Sequence, residues 1–217
     1  LYEPSAMLAS AVVVDESAAG AMDGSIDLTV SGGTPCPTLS SGYCTTSVGP
    51  TSSYDSELQS VLLLGDAGTS INYANVCVQG GGVIGLNDQT ALSASLTEGN
   101  SYTIDVDFGT CGGTYSGFGE IWIDYDMDGT FSTSESIGLA TANTGVNPFT
   151  FTVPLGSASG TTRMRVMQHE GISTTPLSPC ASFLWGSVVD FSIVLNGGGV
   201  GYTFSWSTGD TTEDISG

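Results

Sequence analysis

The chain has 217 residues, enough for one large β domain or two small ones with a real hydrophobic core. Its 22 acidic residues face only two cations, Arg163 and Arg165, giving a formal charge of −20, and such a surface repels phosphate backbones and anionic lipid, which excludes nucleic-acid and membrane-surface binding. Glycine is abundant at 31 residues but follows no period, and 40% hydrophobic with 11% charged residues is the composition of a packed chain, so collagen and solvated disorder are excluded as well.

Alternation of apolar and polar residues with a period of two predicts strands at 25–30, 102–108, 149–153, 162–167 and 189–193. They read as half-buried antiparallel strands punctuated by Gly, Asn, Asp and Ser turns, with no helix of ten residues. The longest apolar pieces are short, such as Val61-Leu62-Leu63-Leu64, far below the ~18 residues of a membrane span, so no membrane insertion is expected. A basic stretch followed by an apolar one is missing from the N-terminal residues, so either a signal has been removed or the chain is an excerpt of something longer.

Two composition seams, Thr34-Pro35-Cys36-Pro37 and Asn196-Gly197-Gly198-Gly199, set off a middle segment. The expected fold is all-β: an antiparallel β-sandwich of jelly-roll or Ig-like kind over 38–196, inserted in a smaller Ig-like module made of 1–37 and 197–217.

The five cysteines Cys36, Cys44, Cys77, Cys111 and Cys180 have no CxxC spacing, and there is one histidine, which argues against a zinc site. Two disulfides with one cysteine left over imply an oxidising, extracellular setting. The preferred pairing is Cys44 with Cys180 and Cys77 with Cys111, leaving Cys36, with the alternatives open.

The strongest chemical signal is Asp124-x-Asp126-x-Asp128-Gly129-x5-Glu135. It fills the fixed positions of a calcium-binding loop, with Thr130 where a backbone carbonyl is used and Ser132 where a water bridges. Hard carboxylate oxygens at alternate positions wrap a cation, Gly129 permits the turn, and Glu135 is expected to close the shell. The bland reading is an acidic hairpin turn. The loop follows a strand, and in a millimolar extracellular pool a bound Ca2+ would be structural.

Arg163 and Arg165 alternate onto one strand face, and a cross-strand ion pair to Asp190, or to Asp105 and Asp107, is the simple expectation. Arginines that merely cover a sheet with their stems are the other. Catalysis is not expected. His169 has Glu170 beside it but no serine motif, and Glu120 with Asp124 is one chance carboxylate pair among many. Trp122, Trp185 and Trp206 would form a sugar-stacking platform only if exposed, and strand tryptophans default to the core.

Four landmarks, Tyr43-Cys44-Thr45, the 121–129 stretch Ile-Trp-Ile-Asp-Tyr-Asp-Met-Asp-Gly, 151–166 ending Thr-Arg-Met-Arg-Val, and Trp185-Gly186-Ser187-Val188-Val189-Asp190-Phe191, resemble the GEVED domain of secreted and surface proteins of Bacteroidota. The two glutamates of that Gly-Glu-Val-Glu-Asp signature fall on Ser187 and Val189 here. If the family uses them to hold the arginines, this chain has weakened the network. The flanks, including Asp23-Gly24-Ser25-Ile26 and Tyr202-Thr203-Phe204-Ser205-Trp206, resemble the repeat of gliding-motility surface adhesins. That likeness implies a non-catalytic module at the bacterial cell surface, a repeating unit of a filament or long adhesin stiffened by calcium and disulfides. Its partners would be copies of itself and surface glycans. A carbohydrate-binding or accessory module of a secreted enzyme is the competing reading.

Overall fold

The structure is a computed structural model and describes residues 8–21, 23–31, 42–54, 56–75, 80–111, 115–140, 145–171, 175–197 and 215–216. In chain order the strands are β1 (Leu8–Val14), β2 (Ser25–Ser31), β3 (Gly49–Pro50), β4 (Leu58–Leu64), β5 (Ser70–Ala74), β6 (Leu86–Thr97) and β7 (Ser101–Phe108). They continue with β8 (Gly117–Ile123), β9 (Ser136–Ala140), β10 (Gly145–Thr152), β11 (Gly160–Glu170), β12 (Ser182–Phe183), β13 (Gly186–Asn196) and β14 (Ile215–Ser216). Two short 3-10 turns, Asp66–Gly68 and Thr133–Glu135, are the helical elements among the described residues. The contacts divide the chain into two compact units, Leu1–Cys36 with Gly199–Gly217, and Pro37–Gly198.

The first unit is a three-stranded antiparallel sheet in the order β1-β2-β14. Residues 15–24 join β1 to β2, and Asp23 holds that loop by accepting from the Ser17 amide at 2.9 Å and the Ser17 hydroxyl at 2.6 Å. The late strand β14 pairs with β2, Ile215 opposite Ile26, so both ends of the sequence contribute to one sheet.

The second unit is a sandwich of a four-stranded sheet, β10-β7-β4-β5, and a five-stranded sheet, β6-β13-β11-β8-β9. Its main core forms because alternate residues of both sheets are apolar. Val61, Leu63, Ile104 and Val106 of the first sheet meet Ile121, Met164, Val166 and Phe191 of the second, all fully buried. Burial of each such side chain stabilises the fold by about 1.5–3 kcal/mol.

Two departures from the strand pattern bear on the site. The five-stranded sheet is mixed, because β13 runs antiparallel to β11 but parallel to β6; β12 and β3 are also parallel. A period of two reports which residues share a face and carries no information on strand direction. The central strands are also buried on both faces. Trp122, Met167 and Val188 point away from the main core into a second cluster with Val48 and Phe131, packed over by Tyr43, Leu177 and Phe183. That cover comes from segments 42–50 and 175–183, joined by β3 and β12 and by amides such as Thr51 donating to the Phe183 carbonyl at 2.8 Å. No helix among the described residues is long and apolar enough to cross a membrane.

Candidate metal centre and the clamp beside it

Strand β8 ends at Ile123 and delivers Asp124 into the covered side of the sheet, where it is fully buried. Its backbone is held by β11: the Asp124 amide donates to the Arg163 carbonyl at 3.1 Å, and the Thr162 hydroxyl donates to the Asp124 carbonyl at 2.7 Å. In the side chain, Oδ2 accepts the Tyr43 hydroxyl at 2.5 Å and the Gly129 amide at 3.0 Å, while buried Oδ1 has no hydrogen-bond partner. Burial is the main reason the Asp124 pKa rises to about 6; the bonds from Tyr43 and Gly129 pull it down and the Glu135 charge adds to the rise. Burial, and then the bond to Asp124, also pushes the Tyr43 hydroxyl above its ordinary range.

The loop then turns back on itself. Met127 and Gly129 both adopt left-handed backbone, φ 58° and 77°, which Gly tolerates without a Cβ penalty. Asp126 Oδ1 accepts the Asp128 amide, and Asp128 Oδ1 accepts the amide and hydroxyl of Thr130, each at 2.7 Å. One oxygen from each of Asp124, Asp126 and Asp128 lies within 4.8 Å of the others, with Asp126 and Asp128 exposed. The donors are all hard oxygens, and the orphaned Oδ1 of a buried carboxylate is what an oxygen-loving cation would satisfy, so the residues present fit calcium.

Glu135, expected to close that shell, does something else. Its Oε1 accepts the Tyr125 amide at 2.8 Å, and its Oε2 accepts the Ser132 amide and hydroxyl at 2.7 and 2.9 Å. Ser132 and Glu135 therefore form the capping box of the Thr133–Glu135 turn. The structure brings three of the predicted carboxylates together and leaves Glu135 outside the group.

A second constellation adjoins the first. Arg165 and Asp190 are directly opposite on β11 and β13, both with fully buried side chains. Asp190 Oδ1 accepts Arg165 Nε at 2.7 Å, and its Oδ2 accepts Arg165 Nη2 at 2.8 Å. The remaining guanidinium N–H groups reach the Cys44 carbonyl at 3.0 Å, the Pro179 carbonyl at 2.8 Å and the Cys44 sulfur at 3.1 Å, so all five donors are used. Arg163 adds a 3.3 Å contact to Asp190 and lies 4.5 Å above the Tyr43 ring, and Arg165 lies 5.1 Å from the centre of Phe131. Asp105 and Asp107, the other proposed partners, sit on β7 in the opposite sheet.

The signature expectation is corrected here. Val189 belongs to the main core, on the face of β13 away from Asp190, and position 187 shares that face. Carboxylates at 187 and 189 would not reach the arginines, and Asp190 alone holds both. The leading glycine has its own reason: Gly186 has φ 145°, and a Cβ there would lie 2.1 Å from the Gln168 carbonyl oxygen.

Cys44 and Cys180, 136 residues apart, form a disulfide that closes the strap over this network. Cys111 is also disulfide-bonded; Cys36 and Cys77 lie outside the described residues. His169 packs between Phe118 and Phe183 at ring distances of 5.0 and 4.6 Å, with Nδ1 on the Glu170 carbonyl. Buried Glu120 spends one oxygen on Ser136 and one on the Leu177 amide. Trp122 is buried at 2% exposure and Trp185 is 38% exposed, so these two do not make a shared platform; Trp206 lies outside the described residues. The residue with no predicted role is Tyr43, and its one signal in the sequence is that it precedes a bridging cysteine.

Comparison with known families places this geometry. Residues 118–194, from β8 to the last turn of β13, match the GEVED domain. The match takes in the acidic loop, both arginines and Asp190, while Tyr43 and Cys44 precede it. No curated protein matches the chain.

Proposed function

We propose that the chain is an extracellular structural and adhesive module, a repeating unit of a bacterial surface filament or long adhesin, stiffened by calcium and by its disulfides. The observation that carries this is the orphaned, fully buried Oδ1 of Asp124 within a group of three carboxylates, on a residue whose other oxygen is tied through Tyr43 to the Cys44–Cys180 strap. A calcium ion held by Asp124, Asp126 and Asp128 would supply the missing positive charge and fasten the loop to the strap. The charged side chains of this centre are engaged in internal bonds, which suits a load-bearing part. The −20 charge keeps such modules soluble in salt, and calcium offsets part of their self-repulsion. The disulfides, the GEVED match and the adhesin-like flanks support the extracellular setting.

Assembly with further copies rests on the first unit, where Val12, Val13 and Val14 of β1 are each more than half exposed and β1 is the edge strand among the described residues. Calorimetry of the full chain tests the stiffening. Chelator should lower Tm by several degrees, and Asp126→Ala should reproduce the fall; no change under either treatment would refute it. Sedimentation of Val13→Lys against the parent chain tests assembly: the variant should stay monomeric where the parent associates, and a parent monomeric at every concentration removes the copy-to-copy role.

A further inference from the structure

The loop offers a cation fewer ligands than its sequence pattern suggests. Calcium takes about six to eight oxygens. With Glu135 committed to the Tyr125 and Ser132 amides, one oxygen from each of three aspartates and a Thr130 carbonyl would leave about two to four positions to be filled from outside. Two of the three aspartates, Asp126 and Asp128, are exposed, so that unfilled side is on the surface.

Beside the same loop lies a groove of about 430 Å³. Its walls are the strap residues Tyr43, Thr45 and Thr46 and the loop residues Gly129, Thr130 and Phe131. Tyr43 is the residue bonded to Asp124, and Thr130 the one bonded to Asp128, so groove and carboxylates share their walls. Thr45, Thr46 and Thr130 are exposed hydroxyls able both to donate and to accept. The two arginines that would attract an anion are spent on Asp190. An anionic ligand would also meet a chain of charge −20, whereas neutral hydroxyls meet no such repulsion.

We propose that calcium on Asp124, Asp126 and Asp128 binds two adjacent hydroxyls of a neutral glycan seated in the groove between residues 43–46 and 129–131. The inference rests on the calcium reading above and gives the adhesive role a ligand class: uncharged polysaccharide with free vicinal diols. Specificity comes from metal coordination and threonine hydroxyls, since one face of the Tyr43 ring is already covered by Arg163 and Phe131 is buried.

The test applies the full-length chain to an array of neutral and acidic glycans in calcium and in EDTA, with calcium titrated calorimetrically in parallel. The expected result is retention on neutral glycans in calcium that falls at least about tenfold in EDTA. Thr46→Trp, which fills the groove, should lose retention while its calcium isotherm shows the loop intact; Asp126→Asn should lose both. A chain that binds calcium yet retains no neutral glycan overturns this proposal and leaves the calcium reading standing. A chain that binds no calcium overturns both. Calcium-dependent dimerisation without glycan retention overturns the proposal by assigning the open positions to a carboxylate of a second copy.

Discussion

Replacing Asp190 by Asn leaves the shape of the clamp and removes its charge. In the parent chain Asp190 accepts two bonds from Arg165, at 2.7 and 2.8 Å, with both side chains fully out of solvent. The amide keeps one acceptor oxygen and turns an NH2 toward the guanidinium, so Arg165 stays buried without a counter-charge. Breaking one partner of such a pair costs about 3–5 kcal/mol. At ~2–4 °C per kcal/mol for a unit of this size, Tm should fall by ~6–20 °C. Arg163→Ala removes a single 3.3 Å contact from a side chain that is 24% exposed. Together with the loss of its place over Tyr43, that amounts to about 1 kcal/mol. Arg165→Met combined with Asp190→Leu removes both charges at once and should cost less than the two single changes added together. Calorimetry with the disulfides intact measures all three. Equal shifts for Asp190→Asn and Arg163→Ala, or a strictly additive double variant, would refute the claim that Asp190 and Arg165 form one buried unit.

Three further outcomes are expected. In calcium-free buffer the folded chain holds the Asp124 proton up to about pH 6 while an unfolded aspartate releases it near 3.8. The stability this group contributes is thus complete below about pH 4 and lost as the pH rises through about 6. Tm of the parent chain should fall across that window more than Tm of Asp124→Asn, and superimposable pH profiles would contradict it. Calcium affinity should weaken as the pH drops below about 6, because the proton and the ion compete for one carboxylate, which isothermal titration will show. Replacing Cys44 and Cys180 by Ala opens a loop closed across 136 residues, for a loss of about 2–5 kcal/mol in chemical unfolding, and should also weaken calcium binding through Tyr43. Glu135→Ala should cost about 1–2 kcal/mol through the lost cap while leaving the calcium isotherm nearly unchanged; abolished binding would return Glu135 to the ligand shell.

The strands were legible where one face meets the core. The alternation at 102–108, 149–153, 162–167 and 189–193 falls within β7, β10, β11 and β13, because a period of two is the geometry of a pleated chain with one buried side. It failed for β8, buried along its whole length, where no polar face remains to mark the period. The acidic loop was legible for a similar local reason, since Asp124, Asp126 and Asp128 are held together by a turn within the same few residues. What the tertiary structure decided is everything set by partners distant in the chain. Tyr43 reaches Asp124 across 81 residues, Arg165 finds Asp190 across 25, and β13 takes β6 as a parallel neighbour. Glu135 satisfies every sequence requirement of a ligand, yet two backbone amides lie nearer to hand, and a buried carboxylate bonds to the donors that the fold places around it.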